Sequence, residues 1–278
     1  MKQYEYLLEK ILDHQFEKNP FKFLYIEDFF SKAHFEMLTT ASQINLKKFE
    51  NTEELIKELD EQGYAPVSFP GCTTSVGKYL AWYNNPDKSK MYNNDLLEGF
   101  GMSMRMHTYK DKEIEGLINF LNSDRFMNTM MHKFEKKGNV SVETAIQKYL
   151  TGYEISPHPD IRKKCMTYMI NINTESANND TGLHTHFMKF TKDKEYIVKY
   201  WNDNPSHDRC WVPWDWCTTE FKHTKNNSIT MFAPENNTIH AIKLDYDHTK
   251  YQRTQIYGNL WYTKGRQQIT KRPDWRDL

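Results

Sequence analysis

The sequence predicts an α+β protein. Its first half is mainly helical and its second half is made of short strands, which pack as a sandwich or jelly roll with the helices along one outer face. Three observations carry this expectation. Apolar residues recur at helical spacing before about residue 140; short β-branched and aromatic runs replace them afterwards; and no Gly/Ser-rich or Pro-rich linker divides the two textures. The 278 residues are therefore expected to form one domain, with 1–139 as a mostly helical flank and 140–265 as the β core.

The elements follow in order. Tyr4 to Phe16 carries Tyr4, Leu7, Leu8, Ile11 and Leu12 at helical spacing. Phe21 to Ile26 is an apolar strand stopped by Glu27 and Asp28, and Ser31 offers a cap for a helix over Ala33 to Ala41. Thr52 to Glu61 reads as a charged helix, and Gly63 to Tyr83 as an irregular, turn-rich stretch. Met102, Met104 and Met106 alternate toward the core, leaving Arg105 for the surface, with an anionic substrate group as its second reading. Glu113 to Phe134 reads as one or two amphipathic helices with a break near Ser123 and Asp124. Strands are then expected at Ala145 to Ile155, Cys165 to Asn173, Ile197 to Trp201, Ser228 to Phe232, Thr238 to Lys243 and Thr254 to Tyr262.

Composition excludes several functions. Lys and Arg total 37 and Asp and Glu total 37, so the chain lacks the excess positive charge of a nucleic-acid binder. A mean hydropathy of -0.84 and the lack of an apolar run near twenty residues argue against a transmembrane helix and a membrane role. Met1 to Tyr6 holds an acid and no apolar core, so no secretory signal is expected there. The 14% of aromatic residues supplies a packed core and excludes disorder. Cys72, Cys165, Cys210 and Cys217 are irregularly spaced and read as reduced thiols of a cytoplasmic protein.

Chemistry concentrates in Tyr149 to Asp160. In an extended segment His158 and Asp160 leave the same face and can grip one ion. His240, on the alternating strand Thr238 to Lys243, is a candidate third ligand, and the set has the composition of a 2-His-1-carboxylate triad. Arg253, on the strand that follows, is placed to take the far end of a dicarboxylate in a bidentate pair. Taken singly, each has a plainer reading: a chance His-x-Asp, a packed histidine, an arginine on a solvated strand face.

Together these segments, with Tyr168 to Asn173 and Ser228 to Pro234, resemble the 2-oxoglutarate- and Fe(II)-dependent dioxygenases, in particular the prolyl-4-hydroxylase-like branch. The resemblance covers roughly the last 130 residues, in the family's order. It implies a double-stranded β-helix (jelly-roll) core, Fe(II) held by His158, Asp160 and His240, and the 2-oxoglutarate C5 carboxylate held by Arg253, with Tyr149 near the co-substrate. It further implies O2 as second co-substrate, ascorbate as a candidate reductant, and hydroxylation of a C–H bond with release of succinate and CO2. Asp160 favours hydroxylation over halogenation, because halogenating relatives replace this carboxylate by a small residue. Two departures stand out: Asn171 occupies the place of a tyrosine in many relatives, and the interval from His240 to Arg253 is long. Asn171 is still expected to donate to the co-substrate.

Other signals compete. His184 and His186 also share one side of a strand, as in half a cupin motif, but no Glu follows at the needed place; they are expected to line the substrate pocket or its rim, with Thr185 matching a family threonine. A cupin-like metalloenzyme built on His184 and His186 is one alternative. Trp201, Trp211, Trp214 and Trp216 among aspartates suggest a substrate platform, with Trp214 and Trp216 as candidate contacts, or else a plug anchoring a long loop. A non-catalytic glycan-binding sandwich is the other alternative. His207, Cys210, Cys217 and His223 lack the tight pairs of structural zinc. The expected substrate is a small molecule, an amino acid or sugar derivative, with a peptide as second choice. Oligomeric state is not legible.

Overall fold

Alternation along the strands decides which layer each side chain meets, and the resulting pattern positions the site. The computed structural model describes residues 2–68, 71–85, 101–174 and 183–263. Residues 175–182 and 264–265 of the expected core lie outside the described residues.

The first half supplies helices α1 (Tyr6–Asp13), α2 (Lys32–Thr40), α3 (Thr52–Glu61), α4 (Val76–Tyr83), α5 (Lys112–Leu121) and α6 (Asp124–Lys133). Caps set several of their starts: the Ser31 side chain accepts from the His34 N–H, Asn51 from Glu54, Asp111 from Glu113 and Ile114, and Ser123 from Phe126. The stretch Glu113 to Phe134 is thus two helices, divided where Ser123 ends one and caps the next. Gly63 to Tyr83, expected to be irregular, contains a strand and α4, whose Ser75 cap accepts from Lys78.

The same half also contributes strands β1 (Phe16–Glu17), β2 (Phe23–Ile26), β3 (Tyr64–Pro66) and β4 (Ser103–Met106). The second half supplies β5 (Val140–Tyr149), β6 (Glu154–His158), β7 (Lys164–Asn171), β8 (Thr185–Phe190), β9 (Cys217–His223), β10 (Ser228–Phe232), β11 (Ile239–Lys243) and β12 (Arg253–Tyr262). Two antiparallel sheets result: an eight-stranded one ordered β1-β2-β10-β7-β12-β5-β4-β3, and a four-stranded one ordered β6-β11-β8-β9. The first half is therefore more than a helical flank, because its strands extend both edges of the large sheet.

One expected strand is a helix. Ile197 to Trp201 lies in α7 (Tyr196–Asp203), where Ile197 and Trp201 are buried and Tyr196 and Tyr200 are exposed. The β-branched and aromatic composition suits either state; packing of the i, i+4 pair against the small sheet selected the helix. Conversely, β9 was not anticipated, since Thr218, Thr219 and Glu220 dilute its apolar alternation.

On the large sheet, Ile146 of β5, Met166, Tyr168 and Ile170 of β7, and Ile256 and Leu260 of β12 join Leu7, Ile11, Leu117, Leu121, Phe126 and Met130 of the helices in one apolar cluster. The opposite face carries Met169 and Tyr257, which pack with Phe187 of the small sheet, Phe21, Phe23 and Phe232. On the small sheet, Met188, Phe190, Ile239 and Ala241 meet Trp201, Val212, Trp214 and Trp216. The Trp-rich segment therefore packs against this sheet. Between the sheets lies the interior in which the chemistry-bearing residues collect.

Candidate metal centre

Strand pairing brings the two distant histidines together. In the β11·β6 pair His240 lies opposite His158, and cross-strand partners sit side by side on one face. Their rings are 4.4 Å apart between centroids. Reaching this pairing requires the chain to turn sharply between β5 and β6. Gly152 takes φ +80° in that turn, and a Cβ there would lie 2.1 Å from the Trp82 ring.

Asp160 follows β6, and its Oδ2 lies 3.9 Å from His240 Nε2. One ligand atom from each of His158, Asp160 and His240 falls within 4.8 Å of the others, and among the described residues no other group of three or more His, Cys, Asp or Glu does so. Two atoms bound to one ion at about 2.1 Å are at most about 4.2 Å apart. Ligands about 90° apart on one ion, as in a facial triad, lie about 3.0 Å from each other, so roughly 1–2 Å of side-chain movement would close the cluster on a metal.

Backbone carbonyls orient both rings. His158 Nδ1 lies 2.8 Å from Ser156 O and His240 Nδ1 lies 3.1 Å from Thr238 O. A carbonyl only accepts, so each Nδ1 carries the proton and each Nε2 offers its lone pair. Asp160 is held from behind: Lys164 Nζ donates to Oδ1 at 2.6 Å and Thr167 Oγ1 to Oδ2 at 2.5 Å. Burial and the neighbouring His240 push His158 down to about 3, and burial also lowers His240. Burial would raise Asp160, but Lys164 and the two imidazoles hold it well below the ordinary carboxylate range. At neutral pH the cluster is thus two neutral imidazoles and a carboxylate, the protonation state that ligates a divalent ion.

A narrow cavity joins this cluster to Arg253. The guanidinium is 1% exposed; its Nη2 donates to Thr185 Oγ1 at 2.9 Å and its carbon lies 5.0 Å from the centre of the Tyr149 ring, Tyr149 being its cross-strand partner. Arg253 Nε is buried with no hydrogen-bond partner, and among the described residues no carboxylate lies within ion-pair distance of it. Burial lowers its pKa while three tyrosines oppose the shift. Arginine nonetheless stays charged. Leaving a buried cation with an unfilled donor uncompensated is costly.

Of the other expected residues, Tyr149 alone joins this cavity among the described residues. Tyr149 lines the cavity, and its hydroxyl accepts from Gln147 Nε2. Asn171 does not line it: its Nδ2 donates to His223 O and Lys225 O and its Oδ1 accepts from Gln255, so both ends of the amide are used in holding strands together. Met169 and Gln255 take the wall position instead. Thr185 points to Arg253, so by alternation His184 and His186 face away, and neither lines this cavity. His186 packs edge-on to Trp214 and bonds Thr219 Oγ1, with no third metal ligand near the pair among the described residues. Trp214 donates to Glu154 Oε1, and Trp216 lies under Lys194.

Sequence reasoning missed Lys164 and Thr167. A β-bulge explains the first. Leu260 pairs with Met166 but Trp261 with Lys164, so Cys165 is an extra residue; it joins Met166 in the helix-side cluster and turns Lys164 toward Asp160. Nothing in the local pattern signals that inserted residue.

No family model matches the sequence, and no curated protein matches it. Among solved structures, the chain is similar to a Pseudomonas putida prolyl-4-hydroxylase, with 8% identity, 94% of this chain and 100% of that one covered, and a TM-score of 0.47. It is also similar to a 2OG-Fe(II) oxygenase family oxidoreductase from Burkholderia pseudomallei (9% identity, 82% and 99% covered, TM-score 0.37). A third is HygX from Streptomyces hygroscopicus with nickel, 2-oxoglutarate and hygromycin B bound (9% identity, 77% and 88% covered, TM-score 0.32). Likenesses this distant carry no weight for function beside the side chains of the site.

Proposed function

We propose that the protein is an Fe(II)- and 2-oxoglutarate-dependent oxygenase, a single domain with a double-stranded β-helix core, that hydroxylates a small organic molecule. The observation that carries this reading is the pairing of two features in one interior: a His-Asp-His cluster in its metal-binding protonation state and, beside it, a buried guanidinium without an anion. His158, Asp160 and His240 would hold the iron, and Arg253 with Thr185 would receive the C5 carboxylate of 2-oxoglutarate. The bound iron supplies the redox chemistry that couples decarboxylation of 2-oxoglutarate to oxidation of a substrate C–H bond. The chain's own contributions are positional. Ser156 O and Thr238 O fix the imidazoles, Lys164 and Thr167 fix the carboxylate, and Tyr149 and Thr185 steady the guanidinium. The narrow cavity has to widen to admit a five-carbon dicarboxylate; Gln255 and Tyr257 are among its walls.

Succinate formation from 2-oxoglutarate, with and without Fe(II), tests the class. Calorimetry with redox-inert Mn(II) tests the assignments. Arg253→Gln is expected to weaken 2-oxoglutarate binding by about 2–5 kcal/mol while Mn(II) binding persists. His240→Ala is expected to remove both. Full 2-oxoglutarate affinity in Arg253→Gln would sink the assignment.

A further inference from the structure

A second cavity opens from the same cluster, with a volume of about 320 Å³, and shares only Ile155, His158 and Asp160 with the one that reaches Arg253. Its charged lining is Arg105, Lys164 and Arg209 against Glu143 and Asp160. Two of the cations are matched: Arg105 Nη1 pairs with Glu143 Oε1, and Lys164 Nζ with Asp160 Oδ1. Arg209 is left over. It is 4% exposed, its Nη1 donates to the neutral amide of Asn236 at 3.3 Å, and its Nε is buried with no hydrogen-bond partner. Among the described residues no carboxylate lies within ion-pair distance of it. The adjacent Asp208 carboxylate instead accepts from the backbone N–H groups of Arg162 and Arg209. Burial and Arg162 push Arg209 down to about 10 against the opposing pull of Asp160, Asp208 and Glu235, none of which reaches ion-pair distance among the described residues, so it remains a cation at neutral pH.

The remaining walls are largely apolar and flat. Val67, Ile155, Ile161, Trp211 and Trp261 line the cavity. Small-molecule sites typically have volumes of about 300–1,000 Å³ and combine apolar walls with a few fixed polar groups. This one meets that description at its lower end, which suits one compact molecule.

We propose that this cavity receives the primary substrate and that the substrate is a small organic anion, a flat or apolar body whose carboxylate or phosphate oxygens pair with Arg209. The placement rests on the oxygenase reading, because it is the metal cluster that makes this cavity the substrate side. The anion preference comes from the lining charges alone. Arg209 is a specificity-determining residue here, separate from Arg253, which serves the co-substrate.

Calorimetry on the protein loaded with Mn(II) and saturating 2-oxoglutarate tests this, since the co-substrate then occupies Arg253. The probes are indole-3-acetate against indole-3-acetamide, and phenylacetate against phenyl phosphate. The acetate is expected to bind at least about tenfold more tightly than the amide, the difference a charge-assisted pair makes. Arg209→Gln is expected to erase that ratio while Mn(II) and 2-oxoglutarate affinities hold; Arg209→Lys is expected to keep part of it. The last two probes decide between carboxylate and phosphate. Equal binding of acid and amide by the wild-type protein, a ratio surviving in Arg209→Gln, or no anionic probe binding at millimolar concentration would each overturn the proposal. The wild-type ratio decides even if Arg209→Gln does not fold. An Arg209-dependent preference in a protein that takes up no 2-oxoglutarate would leave the anion site standing and remove the oxygenase reading; the converse result would do the reverse.

Discussion

The two faces of the large sheet each bury a lysine, and the two lysines are in opposite electrostatic states. Lys148 of β5 belongs to the helix side, where its Nζ donates to Ile44 O at 2.7 Å and Thr254 Oγ1 at 2.9 Å. No carboxylate of the described residues pairs with it, and burial pushes it down to about 7. Lys164 of β7 faces the site. Burial would lower it too, but Asp160, reinforced by the Tyr257 hydroxyl, holds it above the ordinary lysine range. The cost of desolvation is common to both; the partner decides the outcome. One lysine burdens the fold, and the other organises a candidate metal ligand.

Breaking the second arrangement should have the larger effect. Lys164→Met leaves the Asp160 carboxylate buried without its partner, and is expected to destabilise the metal-free protein by about 3–5 kcal/mol. A divalent ion replaces the lost positive charge, so the rise in Tm on adding Mn(II) is expected to exceed that of the wild type. An equal rise in both would show that Lys164 and the metal do not address the same carboxylate.

Lys148 sharpens the comparison with the opposite sign. Its folded pKa lies below the ordinary 10.5, so between about pH 7 and pH 10.5 the unfolded chain holds a proton that the folded chain has released. Stability should therefore rise with pH across that window. Lys148→Met is expected to flatten this rise and to add about 1–2 kcal/mol at pH 7, net of the two hydrogen bonds it gives up. Urea midpoints at pH 7 and pH 9 check both statements.

The smallest effect concerns His223, which is buried between the hydroxyls of Ser228 and Thr230. Burial and the nearby Arg253 push it down to about 3, so it folds in its neutral form. The stability it supports is complete above the ordinary 6.5 and is lost as pH falls toward 3. His158, also pushed to about 3, and His186, pushed to about 4, act in the same sense. His223→Gln is expected to remove one proton's share of the acid slope between pH 6.5 and pH 4. An unchanged slope would mean that His223 is protonated in the fold.

Legibility followed the range of the interaction. Helices with a local cap, such as α2 behind Ser31 and the pair divided at Ser123, could be read with nearly their observed bounds. Their signals lie within four residues. The segment Ile197 to Trp201 could not, because its composition suits a strand and only the Trp-lined face of the small sheet made it a helix. At the site, His158, Asp160, His240 and Arg253 were visible as residue types in a suggestive order. The facing of His184 and His186 was legible as a shared side, but which side met the interior was not. Asn171 kept its expected face and lost its expected partner, because His223, Lys225 and Gln255 arrive from elsewhere in the chain.

By itself the sequence determined the alternation of its strands, the caps of its helices, and a set of metal-binding side chains carried on extended segments. Those are consequences of covalent spacing, which persists however the chain folds. The tertiary structure alone decided that His240 lies opposite His158, that the bulge at Cys165 turns Lys164 onto Asp160, and that Arg209 and Arg253 each bury an Nε with no hydrogen-bond partner. Each of these depends on which strands pair and which charges share a dry interior. Strand pairing and desolvation come into being only when distant segments meet.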